Sequence, residues 1–230
     1  MASEAKIEIT LKEASLVEEP KTVKVEPEPV LVEEKVVNKG TGAGGPNTNF
    51  YGKKFEERTD NEPNLLLKGF EKKRLTRSKF GYYMEGQING IQMVFVKQNG
   101  FKTYMQKIHK IECIRCPDEA YIIKCGDRFH VVVIEKKEQN VAGSVETKLW
   151  SGPALKREYE IILGDKFTVS YSFTLSQFFQ EKFSSTEKKY TVLKQILDES
   201  DIPIFYGDDE QYQTQLEKYI VTRVDKKDEK

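Results

Sequence analysis

The sequence is poor in several residue types on which common protein chemistries depend. Its 230 residues include three cysteines, two histidines and one tryptophan, and 37 basic side chains are balanced by 37 acidic ones. Three cysteines give no even-numbered disulfide framework, which favours a reducing, intracellular setting. No run approaches the roughly 18 to 20 apolar residues that span a bilayer, and the first residues lack the apolar segment of a secretory signal. The sequence therefore predicts a cytoplasmic protein without a membrane span, with a nuclear location left open.

The absence of net charge conceals an uneven distribution of charge along the chain. Residues 1–50 carry 6 basic and 9 acidic side chains, residues 51–115 carry 14 and 7, and residues 116–230 carry 17 and 21. The middle part thus has a formal charge of +7 and lies between two acidic parts. A basic segment of this kind is typical of surfaces that bind polyanions.

Changes in composition divide the chain into four parts. Residues 1–49 are predicted to be a disordered arm with a Gly-rich hinge, because they contain no aromatic side chain and several prolines interrupt their Val/Ile alternation. Residues 50–79 are predicted to be a basic connector, 80–175 a β unit and 176–230 C-terminal helices packed on it. The alternating arm could add a strand to the sheet of a partner protein, although a solvated spacer explains the pattern more simply.

Alternating apolar and polar side chains, with turn signals at regular intervals, characterise the β unit. Three dipeptides favour two-residue hairpins, because type I′ turns need positive φ at both central positions. These dipeptides are Asn89-Gly90, Asn99-Gly100 and Gly126-Asp127. The later segments interpreted as strands are Val145–Trp150, Arg157–Leu163 and Phe167–Thr174. The predicted fold is mainly β within the α+β class: an antiparallel eight-stranded sandwich or small barrel, jelly-roll-like, followed by helices.

Helical spacing of apolar residues begins after the β unit. Tyr190, Leu193 and Leu197 recur at intervals of three and four, and a second stripe begins at Tyr212 and continues through Leu216. These intervals place each set on one face of a helix. We expect two C-terminal helices that cover an open face or end of the β unit.

The first two Asn-Gly turns predict an aromatic and basic sheet face. A two-residue loop at each turn would align Tyr82, Lys97 and Lys102 in one row across three strands. Such a face can stack bases and bind phosphates, whereas the alternative is a core face whose edge lysines extend into water. A run with five positive charges, Lys72–Lys79, precedes it. The predicted nucleic-acid-binding residues are Lys72, Lys73, Arg74, Arg77, Lys79, Tyr82, Lys97, Lys102 and Tyr104.

The cysteines and histidines provide one weak set of possible metal ligands. Cys113, Cys116, Cys125 and His130 are four groups that zinc accepts. The segment before Cys116 is predicted to be extended, so Cys113 and Cys116 would point to opposite faces, and buried thiols in strands are the preferred interpretation. The sequence therefore predicts neither a metal site nor a cofactor.

The supply of catalytic groups argues against an enzyme. The chain has two histidines and contains neither Gly-x-Ser-x-Gly nor His-Glu-x-x-His. We expect a non-enzymatic protein that binds single-stranded nucleic acid, with RNA favoured over DNA, and a protein partner through its arm. The alternative is a structural or assembly module that forms homo-oligomers. In its layout of arm, β unit and terminal helices the chain resembles viral jelly-roll proteins, coat and movement proteins among them, and this resemblance implies protein–protein contacts.

Overall fold

A computed structural model describes residues 48–139 and 145–225 of the chain. These residues form a single sheet with helices on both faces. The predicted arm lies outside them, apart from the first two residues of the first helix. No helix in the described ranges is both long and apolar enough to cross a membrane.

The sheet contains seven strands, whose spatial order follows their order in the chain. The strands are β1 (Glu71–Arg74), β2 (Tyr82–Ile88), β3 (Ile91–Lys97), β4 (Glu119–Cys125), β5 (Arg128–Lys137), β6 (Phe167–Leu175) and β7 (Ile204–Tyr206). The helices are α1 (Thr48–Arg58), α2 (Glu62–Leu67), α3 (Asn99–Tyr104), α4 (Val145–Trp150), α5 (Gly152–Leu163), α6 (Gln177–Phe183), α7 (Lys188–Glu199) and α8 (Tyr212–Asp225), and a π-helical turn (Met105–His109) follows α3.

Two of the three predicted hairpins are present with the predicted register. Asn89 and Gly90 have φ angles of 51° and 79°, and the flanking residues Ile88 and Ile91 pair across the turn. At the second hairpin Gly126 has a φ of 58°, and Cys125 pairs with Arg128. Positive φ at both Asn89 and Gly90 is what a type I′ turn requires, whereas at the second hairpin Gly126 but not Asp127 has a positive φ, as in a type II′ turn.

The prediction of a hairpin at Asn99-Gly100 is wrong, because α3 begins there. Gln98 adopts a φ of 46° and ends β3. The chain then passes so close to β2 that a Cβ on Gly100 would lie 2.6 Å from the Phe80 carbonyl oxygen. Phe101 and Tyr104 follow at helical spacing and are both buried. Consequently Lys102 and Tyr104 belong to a helix and do not pair with β3, whose second neighbour is β4.

Two further predicted strands, Val145–Trp150 and Arg157–Leu163, are helical in the structure. Pro153 occupies the first turn of α5, where its missing N–H is tolerated. Tyr159 and Leu163 lie four residues apart and are both buried on one face of that helix. Short apolar segments of this kind fit either a strand or a helix, and the helical interval decides here.

The sheet is mixed and open, which corrects the predicted eight-stranded antiparallel sandwich, barrel or jelly roll. β1 to β5 are antiparallel neighbours, whereas β6 runs parallel to β5 and β7 runs parallel to β6. A parallel neighbour requires a crossover connection, and α5 provides it. Since each face of the sheet is covered by helices, a second sheet is not needed to bury it.

Alternation of side chains along the strands creates two hydrophobic cores. On one face Val131 and Val133 of β5 pack with buried residues of α3, α5, α6 and α7. On the other face Val132 and Ile134 pack with buried residues of α2 and α8. Of the apolar positions used to predict the C-terminal helices, Tyr190, Leu193, Leu197, Tyr212 and Leu216 are all buried.

Candidate functional site

Three charged side chains meet where β4 begins and β5 ends. The two-residue turn between these strands pairs Glu119 with Ile134, so that Asp118 and Glu135 lie opposite each other one position further on. Side chains at alternate positions of a strand share a face, and Lys137 therefore projects beside Glu135. These three residues, Asp118, Glu135 and Lys137, are called the charged triad below.

The Lys137 ammonium group lies between the two carboxylates of the charged triad. Its Nζ is 2.8 Å from Glu135 Oε2 and 3.4 Å from Asp118 Oδ2. Asp118 Oδ2 also accepts a hydrogen bond of 2.7 Å from the backbone N–H of Lys136. Burial raises the pKa of Glu135, although Lys137 opposes this. Burial alone would lower the pKa of Lys137, but Glu135 and Asp118 raise it above its ordinary value, so this side chain is a cation at neutral pH.

A third carboxylate approaches the charged triad from α1. Glu56 is partly buried and accepts a hydrogen bond of 3.3 Å from the Gln98 side chain. Burial raises the pKa of Glu56, and the Asp118 carboxylate raises it further. Glu56 therefore adds a third acidic group on the helix that packs against this end of the sheet.

A second ion pair on the opposite face of the same strand ends fixes the turn between α1 and α2. Lys136 Nζ lies 2.7 Å from Glu119 Oε1, and their side chains are only 2% and 1% exposed. Lys136 also donates to the Thr59 carbonyl oxygen at 2.7 Å, and the Asn61 backbone N–H donates to Glu119 at 3.1 Å. Because α1 ends at Arg58, these bonds hold its C-terminal end against β4 and β5. The buried pair thus positions the helix that carries Glu56.

The charged triad borders a cavity of about 730 Å³. The cavity lies on the same face as the triad, between the sheet and helices α4 and α5. Its lining residues are Arg115, Cys116, Glu135, Lys137, Lys148, Ser151, Ala154, Leu155, Glu158, Tyr159, Tyr171 and Phe173. This size falls in the range of small-ligand pockets. Tyr159, Tyr171 and Phe173 give the cavity an aromatic wall. Glu135 and Lys137 are the two members of the charged triad that line it.

Three predicted nucleic-acid-binding residues come together, but they do so around acidic side chains. Lys97 Nζ lies 2.5 Å from Asp60 Oδ2 and 3.4 Å from Glu62 Oε2. The Tyr82 hydroxyl donates to Glu62 at 2.5 Å, and Lys72 also forms an ion pair with Glu62. The face of Tyr82 is covered by the Lys72 ammonium, 4.5 Å from the ring centroid. The predicted row of stacking and phosphate-binding side chains is therefore occupied by the loop before α2 and the start of that helix.

The other residues predicted to bind nucleic acid lie on β1, in the loop after it and on α3. Lys73 is paired with Glu85, and Arg74 donates to the Ser78 carbonyl oxygen at 3.0 Å. Arg77 and Lys79 are exposed in the loop that connects β1 to β2. On α3, Lys102 is partly buried, and the Tyr104 ring packs edge-on against Tyr83 with centroids 5.1 Å apart.

The four possible zinc ligands do not converge. Cys113 and Cys116 precede β4, whereas Cys125 is its last residue, and a seven-residue strand spans about 20 Å. Both ring nitrogens of His130 lie within hydrogen-bond distance of hydroxyl groups, from Thr168 at 2.6 Å and from Ser170 at 3.0 Å. Burial raises the pKa of Cys113 to about 11, which keeps its thiol protonated.

The charged triad was not identified from the sequence, although a signal for it was present. The turn at Gly126-Asp127 was predicted, and counting outward from it pairs position 118 with position 135. Asp118, directly before β4, therefore lies beside the Glu-x-Lys of residues 135–137 in the hairpin partner. Glu56 carried no comparable signal, because its approach depends on the packing of α1 against the end of the sheet.

No protein-family model, curated protein or solved structure shows a significant match to this chain. The chemistry of the site therefore has to be inferred from its own residues and their geometry.

Proposed function

We propose that this protein is a cation-dependent hydrolase that cleaves phosphodiester bonds of nucleic acid at the charged triad. The observation that carries this function is the meeting of Asp118, Glu135 and Lys137 at the border of a ligand-sized cavity. Carboxylates bind divalent cations, and an ammonium group beside them suits an anionic substrate. The combination fits hydrolysis of a phosphate ester better than it fits a purely structural ion pair.

Two carboxylates are sufficient for the cation that such a reaction uses. The described part of the chain contains no group of three or more His, Cys, Asp and Glu side chains arranged as a ready metal site. Mg²⁺ does not require one, because it usually binds through one or two carboxylates and completes its octahedron with waters and substrate phosphates. Asp118 and Glu135 would provide those carboxylates, and Glu56 would add negative charge behind them.

The charged triad supplies what hydrolysis of a phosphodiester requires. Water adds to phosphorus, the bond from phosphorus to the leaving oxygen breaks, and the proton lost by the water is balanced by the proton gained by the leaving oxygen. A divalent cation held by Asp118 and Glu135 would supply a water of lowered pKa and positive charge for the phosphoryl oxygens. Lys137 is held as a cation by its neighbours, so it stabilises the negative charge that develops during attack.

The position of the basic loop supports nucleic acid as the substrate. Arg74 pairs with Tyr82 in β2, and Lys97 pairs with Glu119 in β4, so the ends of β1 and β4 lie in one row across the sheet. Three strand spacings separate them, which is about 14 Å. The loop with Arg77 therefore lies at the same end of the sheet as the charged triad. We propose that Arg74, Arg77 and Lys79 bind backbone phosphates of the strand that is cleaved at the triad.

This function keeps the predicted binding of single-stranded nucleic acid and replaces the expectation of a non-enzymatic protein. That expectation rested on the few histidines and on missing nucleophile motifs, neither of which a cation-dependent hydrolase needs. Binding through the N-terminal arm and self-assembly stay predictions, because the arm lies outside the described residues.

The test is a cleavage assay with the full-length chain and end-labelled single-stranded RNA, single-stranded DNA and duplex DNA. We expect cleavage with Mg²⁺ or Mn²⁺, none with a chelator, and recovery when the cation is restored. Asp118→Asn and Glu135→Gln should each lower the rate at least about 100-fold, because each removes a charge that acts in the transition state. The absence of cleavage of all three substrates with either cation would refute the function.

Asp127→Asn is the matched control for Asp118→Asn. Asp127 lies in the exposed turn at the opposite end of the same hairpin, so its loss of charge should leave the rate unchanged. Equal loss of activity in both variants would point to a contaminating nuclease or to damage of the hairpin. Binding of the same strands at several salt concentrations, measured with Glu135→Gln, separates recognition from cleavage, since phosphate contacts make log K fall as log salt rises.

A further inference from the structure

Two tyrosines that line the cavity beside the charged triad have buried hydroxyl groups without a hydrogen-bond partner among the described residues. The hydroxyls belong to Tyr159 of α5 and Tyr171 of β6, which are 3% and 0% exposed. Their rings are neighbours, with centroids 6.3 Å apart. Leaving a buried hydroxyl unpaired is unfavourable. Two such groups in one cavity indicate a place where a ligand oxygen or an ordered water belongs.

Cationic side chains line the same cavity. Arg115 binds both carboxylate oxygens of Glu158 through Nε at 2.9 Å. Its two Nη groups make no hydrogen bond that the structure records within the described ranges, and a guanidinium has five donors in all. Lys148 of α4 contributes a further positive charge at the rim. The lining thus combines two neutral hydroxyls and three cations with two carboxylates, an excess of positive charge that suits an oxygen-rich anion.

We propose that Tyr159, Tyr171, Arg115 and Lys148 form a subsite that binds the backbone phosphate next to the bond that is cleaved. The subsite rests on the proposed function, because it places the neighbouring nucleotide of the same strand. The two tyrosine hydroxyls donate to the non-bridging oxygens of that phosphate, and the two cations balance its charge. It therefore sets which linkage of a bound strand lies at the charged triad.

The protonation state of the tyrosines agrees with this role. Burial raises the pKa of both hydroxyls, and the Glu135 carboxylate raises it further. Both groups are consequently protonated and can donate over the whole physiological range.

The experiment measures binding of a short labelled strand to the full-length chain in a Glu135→Gln background, where cleavage is blocked. Single methylphosphonate linkages, which lack the phosphate charge, are placed in turn at each position along the strand. We expect one position at which Tyr159→Phe and Tyr171→Phe each weaken binding about tenfold with the natural phosphate but not with the uncharged linkage. Tyr206→Phe, which removes a hydroxyl from β7 outside the cavity, should bind like the parent at every position.

The possible results separate failure of the subsite from failure of the hydrolase. Equal binding by the Phe variants and the parent, or an equal loss with charged and uncharged linkages, overturns the subsite even where the wild-type chain cleaves its substrate. A selective loss in a protein that never cleaves supports the subsite and overturns the hydrolase. Thermal unfolding of each variant confirms that the ring was replaced without loss of the fold.

Discussion

Lys136 and Lys137 are neighbours in sequence but lie in different environments, and the proposed function predicts opposite effects of replacing them. The Lys136 side chain and its partner Glu119 are almost completely buried. Replacing Lys136 by Met leaves the Glu119 carboxylate without its counter-charge in a dry environment. Breaking a buried ion pair in this way costs about 3–5 kcal/mol, and the near-zero exposure of both side chains means that solvent does not reduce this figure. That loss is a large part of the stability of an average domain.

Lys137→Met should cause a small loss of stability and a large loss of cleavage activity. Lys137 is 19% exposed, and the two carboxylates that it contacts are 15% and 20% exposed. Water reaches this pair, so we expect a loss of about 1–2 kcal/mol, less than half of that for Lys136→Met. Cleavage should nevertheless fall at least about 100-fold, because the lost ammonium group stabilises charge in the transition state.

Urea unfolding measures both free energies, and the single tryptophan, Trp150, provides a fluorescence signal. A double-mutant cycle with Glu119→Leu is the control, since removing both charges should recover about 1–3 kcal/mol of the loss caused by Lys136→Met alone. The assignment of roles would be refuted if the free energy of unfolding of Lys136→Met lay within about 1 kcal/mol of that of the wild type. It would also be refuted if Lys137→Met were the less stable of the two variants.

Three further predictions concern stability. Tyr171→Phe should leave the free energy of unfolding unchanged or raise it by up to about 1 kcal/mol, because it removes an unpaired buried hydroxyl; a loss above 1 kcal/mol in urea unfolding would mean that the hydroxyl has a partner. Gly86→Ala should cost about 1–3 kcal/mol, since its Cβ would lie 2.5 Å from the Phe70 ring, whereas Gly52→Ala, with no atom within 4 Å, should cause no loss. Burial lowers the pKa of His109, so the unfolded chain takes up a proton first as the pH falls, and His109 should contribute stability that is present at pH 7.5 and partly lost at pH 5.5. His109→Phe should remove that part of the pH dependence in urea unfolding, and an unchanged dependence would exclude His109 as its source.

Hairpins whose register depends only on nearby residues could be predicted from the sequence. The turns at Asn89-Gly90 and Gly126-Asp127 have the predicted pairing, and Asn89 and Gly90 also have the predicted positive φ. Asn99-Gly100 has the same composition, but Phe101 and Tyr104 gain burial by forming a helix against β2 and β3. Tertiary packing thus outweighed the local preference for a turn, and no local pattern could have shown this.

The parallel part of the sheet and the full site depend on contacts between distant residues. The Phe167–Thr174 segment was recognised as a strand from its alternation, yet its direction relative to β5 followed only from the helical nature of Arg157–Leu163. The pairing of Asp118 with Glu135 could be predicted from the sequence, because one short turn determines it. The positions of Glu56 and Tyr171 could not be predicted, since each residue reaches the site through a separate long-range packing arrangement.

The order of strands along the chain implies an order of assembly for the site. The two carboxylates and the lysine arrive with a hairpin that closes over two residues, and hairpins form within about 1–10 μs. Tyr171 arrives with β6, which is separated from β5 by 29 residues and must dock in parallel, a slower, non-local step. During folding, the hairpin is therefore expected to bring its three charged groups together before the cavity wall exists. A chain stopped before β6 would contain the charged triad but lack Tyr171 of the cavity wall.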